Sequence, residues 1–193
     1  MLEQLDRIDW SRLTHAYGAA ADVPQLIRGL VSQDPEVRQR STYELFGNVW
    51  HQGTIFEASA YVVPALFEII DADAENTDAI DLLTSIAGGQ GYWEVHEGAI
   101  PAAPSEDQLA AERRVVAAVR QAVSPRLPDL LQYLEHTEEQ IRTNTALALR
   151  FYPEHRALSL PALRSRLAVE DDEFAKETIF DSIATLMAMP GSA

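Results

Sequence analysis

Histidines and carboxylates are the side chains from which this sequence could build a reaction centre, and their spacing limits what they can do. His51, Glu94, His96 and His155 lie far apart in the chain or on loops. They lack the His-x-x-x-His or Glu-x-x-His spacing that sets two metal ligands on one helical face, so no metal centre is expected. The 193 residues include no cysteine, which excludes disulfides, thiolate zinc sites, iron–sulfur clusters and a cysteine nucleophile. Gly88, Gly89 and Gly91 follow a helical pattern rather than a strand, and no Lys-Ser/Thr pair comes after them, so they are not a phosphate loop. A Gly-x-Ser-x-Gly elbow is absent too. No catalytic residue and no cofactor is expected. The chemistry that remains is recognition. Aromatics and histidines gather on connecting segments, in Trp50-His51-Gln52-Gly53, in Gln90 to Glu97 and in Phe151 to His155. Interfaces favour Trp and Tyr, which makes Trp50, His51, Gln52, Tyr92, Trp93, Glu94, His96, Glu97, Tyr152 and His155 candidates for partner binding. The alternative is that these rings cover the ends of the core and keep only their polar tips in water.

Charge narrows the partner. Fifteen basic residues stand against thirty acidic ones, a net charge of −15, and Lys176 is the one lysine. Nucleic acid is excluded, because phosphate contacts need Lys and Arg in excess on some face. A protein partner with a basic surface fits. Acids recur in the turns that join paired helices: Asp34 and Glu36; Asp71, Asp73 and Glu75; Glu135, Glu138 and Glu139; Glu170, Asp171, Asp172 and Glu173. Such a strip could dock a basic partner, but each acid would also suit a helix N-terminus, where it contributes about 0.3–1 kcal/mol. The N-terminus lacks the basic start and apolar run of a signal peptide, and the longest apolar stretch falls short of the roughly 20 residues that span a bilayer. A cytoplasmic protein with no membrane partner is expected.

The elements that would carry these residues repeat. Val23-Pro24, Val63-Pro64, Leu127-Pro128 and Leu160-Pro161 each precede a Leu-x-x-x-Leu/Ile pair, with Leu26/Leu30, Leu66/Ile70, Leu130/Leu134 and Leu163/Leu167. That spacing puts both side chains on one helical face, so each anchor opens a helix A. An acidic turn and a second periodic run, helix B, follow in every case. Ser, Thr or Ala near the middle of B lets the two helices approach closely. Between the second and third units lies an insertion. Gly88 to Gly91 stops a helix, Gly89 to Glu106 reads as a loop, and Ser105 caps a further helix through about Val123. Helices are predicted at about 22–32, 35–49, 54–71, 76–88, 106–123, 127–136, 138–151, 159–168 and 172–188. Another is predicted over Asp9 to Tyr17, with Ser11 and Thr54 as further caps, and no sheet.

Val23 to Val49 resembles a HEAT repeat. It has proline early in helix A, an Asp34-Pro35 turn, Val37-Arg38 opening helix B, a small residue mid-B, and Leu45 with Gly47 near its end. Leu127 to Phe151 is similar, with Ile141-Arg142 at the matching place. The resemblance implies an all-α, right-handed α-α superhelix, a short solenoid of about four paired-helix units and about ten helices. The units fall near 9–50, 54–89, 106–152 and 156–188 in a single domain. It also implies that Arg38 contacts Asp34, a structural pair. As a function it implies a binding module for one protein partner, with an inhibitor or immunity protein against a basic toxin as one version. An enzyme resembling HEAT-like glycosylases or lyases, and a structural subunit of a larger assembly, are the alternatives.

Overall fold

The computed structural model describes residues 2–99 and 103–189. They form two compact units, Met1–Ala122 and Val123–Ala193.

In the first unit, 3-10 turns at Glu3–Arg7 and Trp10–Arg12 lead into a hairpin of β1 (Thr14–His15) and β2 (Gly18–Ala19). Helix α1 (Val23–Gly29) then packs on α2 (Pro35–Val49). A second hairpin, β3 (Trp50–His51) and β4 (Thr54–Ile55), leads to α3 (Glu57–Ala72), which packs on α4 (Thr77–Gly88). A single turn of helix, α5 (Tyr92–Val95), and the long α6 (Glu106–Val123) complete it. The second unit has a 3-10 turn at Ser124–Arg126 and α7 (Leu127–Leu130), which tightens into 3-10 over Leu131–Glu135. Helix α8 (Glu139–Leu149), a 3-10 turn at Pro153–His155, α9 (Arg156–Leu167) and α10 (Glu173–Ala188) follow. The fold is mostly helical, as expected. Among the described residues no helix is long and apolar enough to cross a membrane.

Packing explains the pairs. A Cβ on Gly29 would meet the Ser41 Oγ at 1.9 Å, so α1 and α2 touch where both residues are small. Of the paired helix-A leucines and isoleucines, Leu26, Leu30, Leu66, Ile70, Leu130, Leu134 and Leu163 are buried, as are Leu45, Leu83, Leu149 and Ile183 on the second helices. Leu167 is half-buried.

Several expectations are corrected. Asp9 to Tyr17 is not a helix; its 3-10 turns and hairpin are tied to α3 by Glu57, whose carboxylate accepts from the Thr14 amide and hydroxyl at 3.1 and 2.8 Å. The sheet-free prediction fails at the two hairpins, each built from two-residue strands too short to show alternation. Thr54 is a strand residue rather than a cap, and α3 opens instead on Ser59, whose Oγ accepts from the Phe56 amide at 2.8 Å. Pro24 and Pro128 lie at helix starts, but Pro64 and Pro161 lie inside α3 and α9. The buried face of α10 runs through Ala175, Ile179, Ser182 and Leu186, leaving Phe174 63% exposed.

The Asp34–Arg38 pair is also corrected. Asp34 caps α2, accepting from the Glu36 amide at 2.9 Å, while Arg38 donates to the Ser32 carbonyl at 2.5 Å. Arg142 repeats this reach of six residues, donating to the His136 carbonyl at 2.9 Å. The arginine at the start of helix B therefore closes the turn through backbone oxygen.

Candidate functional site

The candidate residues of the first unit converge because three segments lock together. The β3–β4 turn is made by Gln52 and Gly53, both with positive φ (51° and 93°), the geometry that closes a two-residue hairpin. Gln90 adds beside β4: its amide donates to the Gly53 carbonyl at 2.9 Å and its carbonyl accepts from the Ile55 amide at 3.0 Å. Helix α6 then clamps this edge. The Arg120 guanidinium donates to the carbonyls of Ala87 and Gly89, both at the end of α4.

The glycine run that reads as a helix stop is a packing requirement. A Cβ on Gly89 would come within 2.2 Å of the Ile55 side chain, and one on Gly91 within 2.6 Å of the Glu112 carboxylate. With no side chain at Gly91, Glu112 reaches the α5 backbone and accepts from the Trp93 amide at 3.2 Å.

On this frame α5 carries an aromatic cluster. The Tyr92 ring stands edge-on to Trp93 at 5.7 Å and lies 4.4 Å from His96, whose Nδ1 is 2.9 Å from the Tyr92 carbonyl. Tyr92 is 44% exposed; Trp93 and His96 are half-buried, and Glu94 and Glu97 are exposed. Glu94 accepts from the Gln90 side chain. Val95 lies over Gly53, which brings α5 to the tip of the β3–β4 hairpin. There Trp50 and His51 are half-buried and Gln52 is exposed. Trp50 packs edge-on to Phe46 at 6.0 Å, and His51 meets the exposed Tyr17 ring at 5.7 Å. Beside α5, a cleft of about 690 Å³ opens against the N-terminal half of α6. The inserted loop is thus partly helical; its residues 100–102 lie outside the described residues.

A neighbouring histidine is fully committed to structure. His15 is buried, its Nδ1 accepts from the Tyr17 amide at 3.0 Å, and its Nε2 faces Asp22 at 3.1 Å. Asp22 also accepts from Asn48 at 2.8 Å. Both ring nitrogens of His15 are thus engaged by the chain's own groups.

The second unit treats its candidates differently. Tyr152 is fully buried, so it is a core residue and not part of a binding surface. His155 is half-buried, with its Nε2 3.0 Å from the Ser124 hydroxyl, which also lies 2.8 Å from Glu154. Here the acid bonds the serine rather than the histidine, so the base lacks the orienting partner that a nucleophile–base–acid relay needs. Nothing in the spacing of Ser124 and His155 announced that contact.

Much of the acidic strip serves the turns. Asp172 caps α10 through the amides of Phe174 and Ala175, each at 2.9 Å, and Asp73 accepts from the Glu75 amide at 3.2 Å. Glu139 accepts from the Thr143 hydroxyl at 2.9 Å. Asp71, Glu75, Glu138 and Asp171 are exposed. Glu170 is the exception, because its carboxylate is buried between two arginines. It accepts from Arg142 twice at 2.8 Å and from Arg166 at 2.9 Å, with the amides of Asp171 and Asp172 at 3.1 Å. The Arg142 hydrogen bonds, helped by the Asp172 amide and the two positive charges, pull its pKa down from 4.5 to about 2. Among the described residues, no three His, Asp or Glu side chains are grouped as metal ligands.

Compared with known proteins, the chain matches no family model and no curated protein.

Proposed function

We propose that this chain is a non-enzymatic protein-binding module. It is a short, acidic, HEAT-like solenoid whose first unit grips one protein partner with a basic surface. The observation that carries the reading is the α5 cluster, where Tyr92, Trp93 and His96 reach solvent from a fixed backbone. Aromatic anchors held in place lose little conformational entropy on binding, which is the usual chemistry of interface hot spots. The surrounding carboxylates and the net charge of −15 steer a basic surface towards them. An inhibitor of a basic toxin is the version that uses both features.

The test is to capture partners on the immobilised chain from a lysate of its source organism, identify the retained protein, and measure its affinity. The retained protein should be basic at the contact face. Tyr92→Ala and Trp93→Ala should each weaken it by about 30-fold, the 2 kcal/mol typical of a hot spot, while helical circular dichroism stays unchanged. Wild-type affinity in both variants would move the binding face elsewhere.

A further inference from the structure

We propose that the cleft between α5 and the first half of α6 encloses an arginine or lysine side chain of the partner, laid against Trp93 and neutralised by Glu112. This rests on the protein-binding reading above and specifies what its central pocket recognises. The cleft has a volume of about 690 Å³, within the range of roughly 300–1,000 Å³ that takes a specific ligand group. Leu109 and Val116 supply apolar wall, and Trp93 supplies an aromatic one. Among the described residues, three carboxylates, Glu94, Glu97 and Glu112, line it against the Arg113 guanidinium.

Glu112 is the decisive group. It is half-buried, and its two oxygens face the same Trp93 amide at 3.2 and 3.4 Å. A carboxylate offers about four acceptor positions, so most of its capacity is open to the cleft. A partly desolvated anion beside an aromatic ring matches one chemistry best, a cation on an apolar stem. The aliphatic part of an arginine or lysine fits the Leu109 and Val116 wall while its head meets Glu112. An acidic segment would be repelled, and a purely apolar one would leave the carboxylate without a counterion.

The probe is the peptide Ac-Ala-Leu-Arg-Leu-Ala-NH2, with a Glu-for-Arg version as control, titrated while the Trp93 indole N–H signal is followed by NMR. The arginine peptide should shift that signal saturably, and the glutamate peptide should leave it in place. Glu112→Gln keeps an oxygen to accept the Trp93 amide, so the fold and its melting temperature should hold. It should nevertheless weaken the arginine peptide tenfold or more. Non-specific attraction to the acidic surface would hardly notice the loss of one charge among thirty acids. An unmoved Trp93 signal at millimolar peptide, or a smaller loss in Glu112→Gln, overturns the inference. The broader reading fails separately: it falls if the captured partner ignores Tyr92→Ala and Trp93→Ala, whatever the peptide does.

Discussion

Helices α2 and α8 both end near an aromatic residue and a histidine, yet the two exits have opposite fates. After α2 the backbone extends at once into β3, which holds Trp50 half-buried and brings His51 against Tyr17. After α8 the chain doubles back. The Phe151 and Tyr152 amides donate to the carbonyls of Ala148 and Leu149, and the Tyr152 ring is fully buried. Residue type therefore does not set exposure at these edges. The extended exit leaves Trp50 half-buried, and the tight turn leaves Phe151 half-buried but folds Tyr152 under the helix. The first exit carries residues of the proposed recognition surface; the second places Tyr152 in the core.

The largest expected effect tests that contrast directly. Tyr152→Ala should cost about 3–5 kcal/mol, the price of emptying a buried aromatic site. Trp50→Ala, at a half-buried position, should cost about 1–2 kcal/mol on the same area argument. Urea unfolding midpoints measure both, and equal losses would erase the distinction.

The two helix-B arginines sharpen it further. Arg142 holds the buried Glu170, whereas Arg38 donates to a turn carbonyl. Removing one member of a buried pair strands the other, so Glu170→Gln should cost about 3 kcal/mol at neutral pH. Arg38→Ala should cost about 1 kcal/mol, one hydrogen bond's worth. The Glu170 effect has a defined pH window. Its carboxyl titrates at about 2 in the folded chain against an ordinary 4.5, so the unfolded chain takes up the proton first as pH falls. The stabilisation is complete above pH 4.5 and disappears towards pH 2. Subtracting the Glu170→Gln unfolding curve from wild type across that range isolates the contribution. A difference that stays constant with pH would contradict it.

Between the Glu170→Gln and Arg38→Ala losses falls Gly89→Ala, which drives a methyl into Ile55 and should cost about 1–3 kcal/mol, read as a lower melting temperature. Tyr92→Ala should change stability least, by under about 1 kcal/mol, because the residue lies at the surface, 44% exposed.

The sequence made the paired helices legible, with bounds at 35–49 and 106–123 matching α2 and α6. Periodicity and the Asp34 and Ser105 caps are strong local signals, and Ser105 does accept from the Gln108 amide at 3.2 Å. What stayed hidden depends on contacts between distant residues. Two-residue strands carry no alternation, so the hairpins around Tyr17 and Gln52 left no pattern. The proline anchor placed the start of α9 at 159, three residues late, because Pro161 sits inside the helix. At the site, Tyr92, Trp93 and His96 stood out by type, but Glu112 lies on α6, which the sequence marked only as a further helix. Only the closeness of Gly91 to that helix reveals it. Tyr152 was indistinguishable from Trp50 by composition, and its burial follows from the turn after α8.

The most direct test of the central claim is a comparison of partner affinities at the two edges. With the captured partner in hand, its Kd should rise by about 30-fold for Trp93→Ala. His155→Ala, at the half-buried exit of the second unit, should leave the Kd within about twofold of wild type, an effect well under 1 kcal/mol. The reverse pattern, an intact Kd in Trp93→Ala and a weakened one in His155→Ala, would show that the recognition surface has been assigned to the wrong edge.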